Sequence, residues 1–186
     1  MVLTRLRQSI KPVVDSVGRA CASVLPYPNA WTAMGVVFAA LSGFSFYYGS
    51  LELGGAFVLL SGLTDVIDGA VARATGKVSK KGGFLDSNLD RLAEVFIYAG
   101  IVGSAAVSPL LSYLALSFSL LVSYSRSKAE ALGVKAEGVG VGERAERLLV
   151  LAAASFLGLL LYGVALVLVM ASMTFFQRVY VYSSKL

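Results

Sequence analysis

Residues 51–90 read LELGGAFVLLSGLTDVIDGAVARATGKVSKKGGFLDSNLD, and the fold turns on how four aspartates fit into this largely apolar, glycine-rich stretch. Asp65 and Asp68 are three residues apart, so on a helix they face the same way. Asp86 and Asp90 are four apart and again share one helical face. The connecting segment Thr75–Lys81 is short, which predicts that the two helices are antiparallel neighbours whose adjoining halves meet. Four carboxylates converging there need a compensating cation if all are to be ionised. Hard oxygen ligands select Mg²⁺, Mn²⁺ or Ca²⁺ over zinc, and the chain has no histidine to argue otherwise. The plainer alternative is that the aspartates pair with Arg73, Arg91 or nearby lysines as buried ion pairs. Four carboxylates on two adjacent helices favour the metal.

Composition places this stretch in a membrane. Of 186 residues 57% are hydrophobic and only 15% charged, where a soluble domain carries about a quarter. Glu52 is the only charge between Arg19 and Asp65, and none occurs over residues 95–124 or 148–177. Each gap suits one or two spans of roughly 20 residues. The single cysteine, Cys21, excludes an internal disulfide. Arg5, Arg7, Lys11 and Arg19 interrupt the N-terminus, so a signal peptide is not expected. The net charge of +5 is explained by topology, since no basic domain for nucleic acid is present.

Residues 1–25 form an interfacial amphipathic helix by this reading. Leu3, Leu6, Ile10, Val13, Val14, Val17, Cys21 and Val24 fall at helical spacing, with Pro12 as the point where a kink would fall. The rest, 30–183, is an all-α polytopic bundle of six spans near 30–48, 52–74, 83–106, 109–131, 144–162 and 164–183. Gly49 to Gly54, Pro109 and Tyr162-Gly163 are the expected turns. Six spans put all 16 Lys and Arg residues on or near one side, which is then cytoplasmic. Residues 1–186 read as one membrane domain.

Asp65-x2-Asp68-Gly69-x2-Ala72-Arg73-x8-Gly82-x3-Asp86-x3-Asp90 resembles the signature of the CDP-alcohol phosphotransferases at every position. The resemblance covers essentially the whole chain, and six spans with an interfacial N-terminal helix agree with that family's architecture. It implies metal-dependent transfer of a substituted phosphoryl group from a CDP-linked lipid to an alcohol, releasing CMP. Carried over, Asp65, Asp68, Asp86 and Asp90 ligate Mg²⁺ or Mn²⁺, one ion or two, and Asp90 is also the general base. Pro28, Asn29, Ala30, Trp31, Thr32, Gly69, Ala72, Arg73, Ser79 and Gly82 match donor-binding positions. By themselves Gly69 and Gly82 mark close helix packing or a bare backbone for a diphosphate.

A second cluster, Ser123–Ala131 with Gly142–Arg147, is similar to the branch that uses inositol phosphate, the phosphatidylinositol-phosphate and archaetidylinositol-phosphate synthases. Arg126, Lys128, Arg144 and Arg147 match its acceptor phosphate pocket. Basic residues at cytoplasmic helix ends are expected from topology alone, yet four cations beside carboxylates suit a phosphorylated alcohol. Inositol 1-phosphate is the expected acceptor, with glycerol phosphate or another alcohol as the alternative. The resemblance also implies a homodimer, and the lipid is a diacylglycerol or an archaeol. A cation transporter would spread its aspartates along a path across the bilayer. A membrane prenyltransferase would space them differently.

Overall fold

The computed structural model describes the backbone of residues 2–134, 136 and 138–186, and side chains from residue 12 onward apart from 135 and 137. Seven helices and no strand occur among these residues: α1 (Val2–Val24), α2 (Pro28–Tyr47), α3 (Leu51–Ala74), α4 (Lys80–Gly103), α5 (Pro109–Ala131), α6 (Arg144–Phe156) and α7 (Leu160–Ser183). Their starts follow from local chemistry. Pro28 and Pro109 open α2 and α5, where a missing N–H costs nothing. Ser79 caps α4 by accepting the Gly82 N–H at 3.0 Å. The helix α1 runs through Pro12. Its expected apolar face over 2–11 lies outside the described side chains.

Three helices, α2, α3 and α7, are long and apolar enough to cross a membrane. The 24 residues of α4 and the 23 of α5 have comparable length but carry charged ends. The expected span 144–162 is corrected. The helix α6 has 13 residues, about 20 Å at the helical rise, and the chain turns at Gly158, whose φ is +69°. Tyr162-Gly163 is not the turn, because Gly163 lies inside α7 and presses on Ala154 of α6. Large apolar side chains such as Leu63, Val66, Val169 and Phe176 face outward, whereas Phe46, Val58, Ile97, Leu151 and Val164 fill the core.

The expected pairing of α3 with α4 is also corrected. Both helices pack along α2 and touch each other only slightly, while α6 lies against α3 and α7. Backbone proximity explains the arrangement. A Cβ on Gly100 would collide with the backbone of Gly43, and one on Gly43 with the Phe96 carbonyl. The small pair lets α2 and α4 touch, as small residues do between helices in lipid. At the other flank, Ser42 Oγ donates to the Gly54 carbonyl at 2.9 Å and ties α2 to α3.

One stripe of α7 holds the loop before α6. Thr174 Oγ1 accepts the Val141 and Gly142 N–H groups at 3.2 and 2.9 Å. One turn on, Arg178 donates to the carbonyls of Val139 and Val122 at 2.9 and 2.8 Å. A further turn on, the Tyr182 hydroxyl donates to the Ala136 carbonyl at 2.7 Å. This backbone clamp fixes where α6 begins.

Gly100→Leu should destabilise the detergent-solubilised protein by about 1–3 kcal/mol, the usual effect of overpacking, while Gly83→Ala, with open space around it, should not. Equal thermal unfolding of both variants would contradict the close α2–α4 contact. Thr174→Val leaves the buried Gly142 N–H and the part-buried Val141 N–H without their acceptor, so it should cost about 1–3 kcal/mol and raise amide hydrogen exchange at 141–142. Thr174→Ser should restore both.

Candidate active site

The functional side chains gather at the end of the bundle where α2, α4 and α6 begin and α3 ends. Asp65 and Asp68 occupy the last turns of α3, and Asp86 and Asp90 the first turns of α4. One carboxylate oxygen from each of Asp65, Asp68 and Asp86 lies within 4.8 Å of the others. Convergence of α3 and α4 at this end therefore occurs even though α2 separates them elsewhere. Asp68 is buried, and its Oδ2 accepts the Thr32 hydroxyl at 2.6 Å. Asp86 Oδ1 is buried with no hydrogen-bond partner among the described residues.

Arg144 enters this cluster from the first turn of α6. Its Nη1 donates to Asp65 Oδ2 at 3.0 Å and lies 2.9 Å from Asp90 Oδ1, bridging α3 and α4. Asp90 also has the Arg91 guanidinium at 3.6 Å. Behind Arg144, the buried Arg147 donates to Glu94 Oε1 at 2.9 Å and to the Gly142 carbonyl at 2.7 Å. Two arginines in the first turn of a helix oppose its dipole. Carboxylates facing them and a capping box between Glu143 and Glu146 offset that cost.

Charge and donor chemistry test whether a divalent cation fits. Fully ionised, Asp65, Asp68, Asp86, Asp90 and Glu94 outnumber the guanidiniums of Arg91, Arg144 and Arg147 by two charges. An uncompensated buried carboxylate costs several kcal/mol, and one divalent cation closes the deficit. Oxygen ligands from carboxylates and the unpartnered Asp86 Oδ1 suit Mg²⁺ or Mn²⁺. The residues present fit the group.

The donor-matching residues share this end. Thr32 reaches Asp68, while the Trp31 indole N–H donates to the Leu25 carbonyl at 3.0 Å. Asn29 is exposed and Ala30 half-buried on the same turn, after Pro28. Ser79 and Gly82 are joined by the α4 cap, and Ala72 is half-buried on α3. Gly69 packs beside the exposed Arg73, whose guanidinium lies 3.4 Å from Asp15 of α1. Thr32, Gly35, Ser61, Asp65, Asp90 and Arg144 line a narrow cleft between these helices.

The acceptor-matching cations are divided. Arg144 joins the aspartates, and two nitrogens of Arg147 are committed behind it. On α5, Arg126 pairs with Glu130 at 2.9 Å, and Lys128 is exposed. Sequence reasoning passed over Glu94, Thr174, Arg178 and Tyr182. Glu94 continues the Asp86–Asp90 stripe by one more turn, which was the available signal.

Comparison with known proteins agrees with this geometry. The sequence model described as CDP-alcohol phosphatidyltransferase matches residues 25–177. The chain is 38% identical over 179 residues to an archaetidylinositol phosphate synthase of Pyrococcus horikoshii, covering 96% of this chain and 95% of that one. The crystal structure of Mycobacterium tuberculosis phosphatidylinositol phosphate synthase with CDP-DAG bound superposes with a TM-score of 0.78 at 25% identity, covering 92% of this chain and 94% of that one. The same protein in complex with manganese and citrate gives 0.79 at 26% identity, over 91% and 88% of the two chains. On this sequence and fold evidence, the chain belongs to the CDP-alcohol phosphatidyltransferase family.

Proposed function

We propose that this protein transfers the lipid phosphoryl group of a CDP-linked lipid to the hydroxyl of inositol 1-phosphate and releases CMP. The observation that carries the reading is the convergence of Asp65, Asp68 and Asp86 oxygens beside Arg144, in a chain of this family. Support for the acceptor comes from the synthases the chain resembles and from Arg126, Lys128 and Arg144 at the adjoining helix ends. The surface pair Arg126–Glu130 is weak enough to open for a phosphate. Arg147 holds Arg144's helix in place from behind.

Asp65, Asp68, Asp86 and Asp90 would hold Mg²⁺ or Mn²⁺, as one ion or a pair, and the bound metal neutralises a diphosphate and polarises its phosphorus. Thr32 orients Asp68 by its hydroxyl. Gly69 and Gly82 leave bare backbone near the cluster, and with Pro28–Thr32, Ala72, Arg73 and Ser79 they form the donor side of the site. The acceptor oxygen attacks the lipid-bearing phosphorus, and the bond from that phosphorus to the bridging oxygen breaks. CMP departs with that oxygen. Asp90 takes the hydroxyl proton.

The chain crosses the membrane six times in this reading, with α1 in the interface and the active end facing the cytoplasm. Outward apolar side chains on α2–α7 and the one-sided basic residues support it. The short α6 reaches only part of the roughly 30 Å core, so the buried Arg147 and half-buried Arg144 at its start lie inside the bundle near the active end. A homodimer is carried over from the family resemblance.

Purified protein with Mn²⁺ should release CMP from CDP-archaeol or CDP-diacylglycerol when inositol 1-phosphate is added, and much less with glycerol phosphate, serine or free inositol. Release with none of these alcohols would contradict the reading. Asp90→Asn should lower kcat by about 10²-fold or more while donor binding persists; surviving turnover would remove Asp90 from the role of base.

A further inference from the structure

Glu94 belongs to none of the roles above, yet it is the most enclosed carboxylate near the site, with 3% of its surface exposed. Its Oε1 accepts from Arg147 Nη2 at 2.9 Å. Its Oε2 is buried and has no partner among the described residues. Beside the same carboxylate is a second buried orphan, the Nε of Arg144, 3.6 Å from Glu94 Oε1 and without a hydrogen-bond partner among the described residues. An acceptor and a donor of opposite charge thus stand side by side with their contact half made, which is unusual in a buried site.

The contact is half made because Arg144 is extended toward other carboxylates. Its Nη1 bridges Asp65 Oδ2 and Asp90 Oδ1. These are two of the carboxylates that the metal reading gives to the cation. A guanidinium held on both carboxylates competes with a divalent cation for them, since like charges at short range repel in a site of low dielectric. A cation that displaces Arg144 from them leaves its charge to be compensated elsewhere inside the bundle. Asp86, Asp90 and Glu94 form one stripe on α4 at successive turns. The guanidinium already lies between the two, with Nη1 2.9 Å from Asp90 Oδ1 and Nε 3.6 Å from Glu94 Oε1, so a small shift along that stripe moves it from Asp90 onto Glu94.

We propose that Glu94 is a positioning residue that receives the Arg144 guanidinium when Asp65 and Asp90 take up the cation. The proposal rests on the metal reading of the aspartates. In it Arg144 alternates between two sets of carboxylates. Without metal it screens Asp65 from Asp90; with metal it lies on Glu94, clear of Asp90, whose oxygen turned away from the cation is then open to the acceptor hydroxyl. Glu94 holds Arg147 in either state, so the N-terminus of α6 stays in place while one side chain moves.

Mn²⁺ titration of metal-stripped protein, read by the EPR signal of the free ion, tests this without turnover. Glu94→Gln keeps the shape of the side chain and an acceptor for Arg147, and it should weaken Mn²⁺ binding about tenfold. In an Arg144→Gln background the same substitution should have no effect, because nothing then competes for Asp65 and Asp90. Wild-type affinity in Glu94→Gln would overturn the proposal. An equal loss in both backgrounds would also overturn it, leaving Glu94 a purely structural partner of Arg147. Should Glu94→Gln fail to fold, the structure of the Mn²⁺-loaded wild-type protein decides. Arg144 hydrogen-bonded to Glu94 and off Asp65 is the expected result, and Arg144 still bridging Asp65 and Asp90 beside the ion refutes it. No Mn²⁺ binding by the wild-type protein would instead remove the metal reading itself, and this proposal with it.

Discussion

Five carboxylates, those of Asp65, Asp68, Asp86, Asp90 and Glu94, are gathered at one end of a bundle whose outside is apolar. In such surroundings charge is tolerated only when it is compensated at close range. Much of the described structure supplies that compensation or holds it in place. The glycine contact between α2 and α4 lets both α3 and α4 present their aspartates around α2. The α7 stripe of Thr174, Arg178 and Tyr182 pins the loop from which Arg144 and Arg147 enter. The remaining excess of negative charge is what a divalent cation would neutralise.

Helical spacing put Asp65 with Asp68 and Asp86 with Asp90 on common faces, because spacings of three and four survive any packing of the helices that carry them, and the short Thr75–Lys81 connector pointed to the meeting of the two helix ends. The boundaries of α2, α3 and α5 were legible for a similar reason, being marked by Pro28, Gly49 and Pro109. Neighbour relations were less legible. A short connector made α3 and α4 look adjacent, but whether two helices lie side by side depends on which faces can approach, and Gly43 with Gly100 gave α4 to α2. The end of α6 was hidden because Leu157-Gly158-Leu159 turns within an unbroken apolar run, where composition carries no contrast.

The residues passed over share one property: they act through burial, which a charge pattern does not reveal. Glu94 sits at the last charged position before a long apolar segment and reads there as the edge of a polar cluster. In the structure it is the anchor of Arg147. Arg178 reads as a topological charge near the C-terminus, yet its donors close on carbonyls of Val122 and Val139. Conversely, Arg126 stays partly exposed and, among the described residues, pairs with Glu130. Four basic residues that look equivalent in sequence thus divide into two surface cations on α5, one cation on the aspartates, and one built into the framework.

The central claim is that these carboxylates form a divalent-metal site rather than a set of ion pairs closed by arginine. Calorimetric titration of metal-free protein with Mn²⁺, in the wild type and in Asp86→Asn, addresses it most directly. Among the described residues Asp86 is the aspartate whose buried oxygen has no hydrogen-bond partner, so its substitution removes a ligand without orphaning an arginine. Saturable binding by the wild type, weakened at least tenfold in Asp86→Asn, is the predicted result. Absence of binding in the wild type, or the same affinity in both proteins, would contradict it.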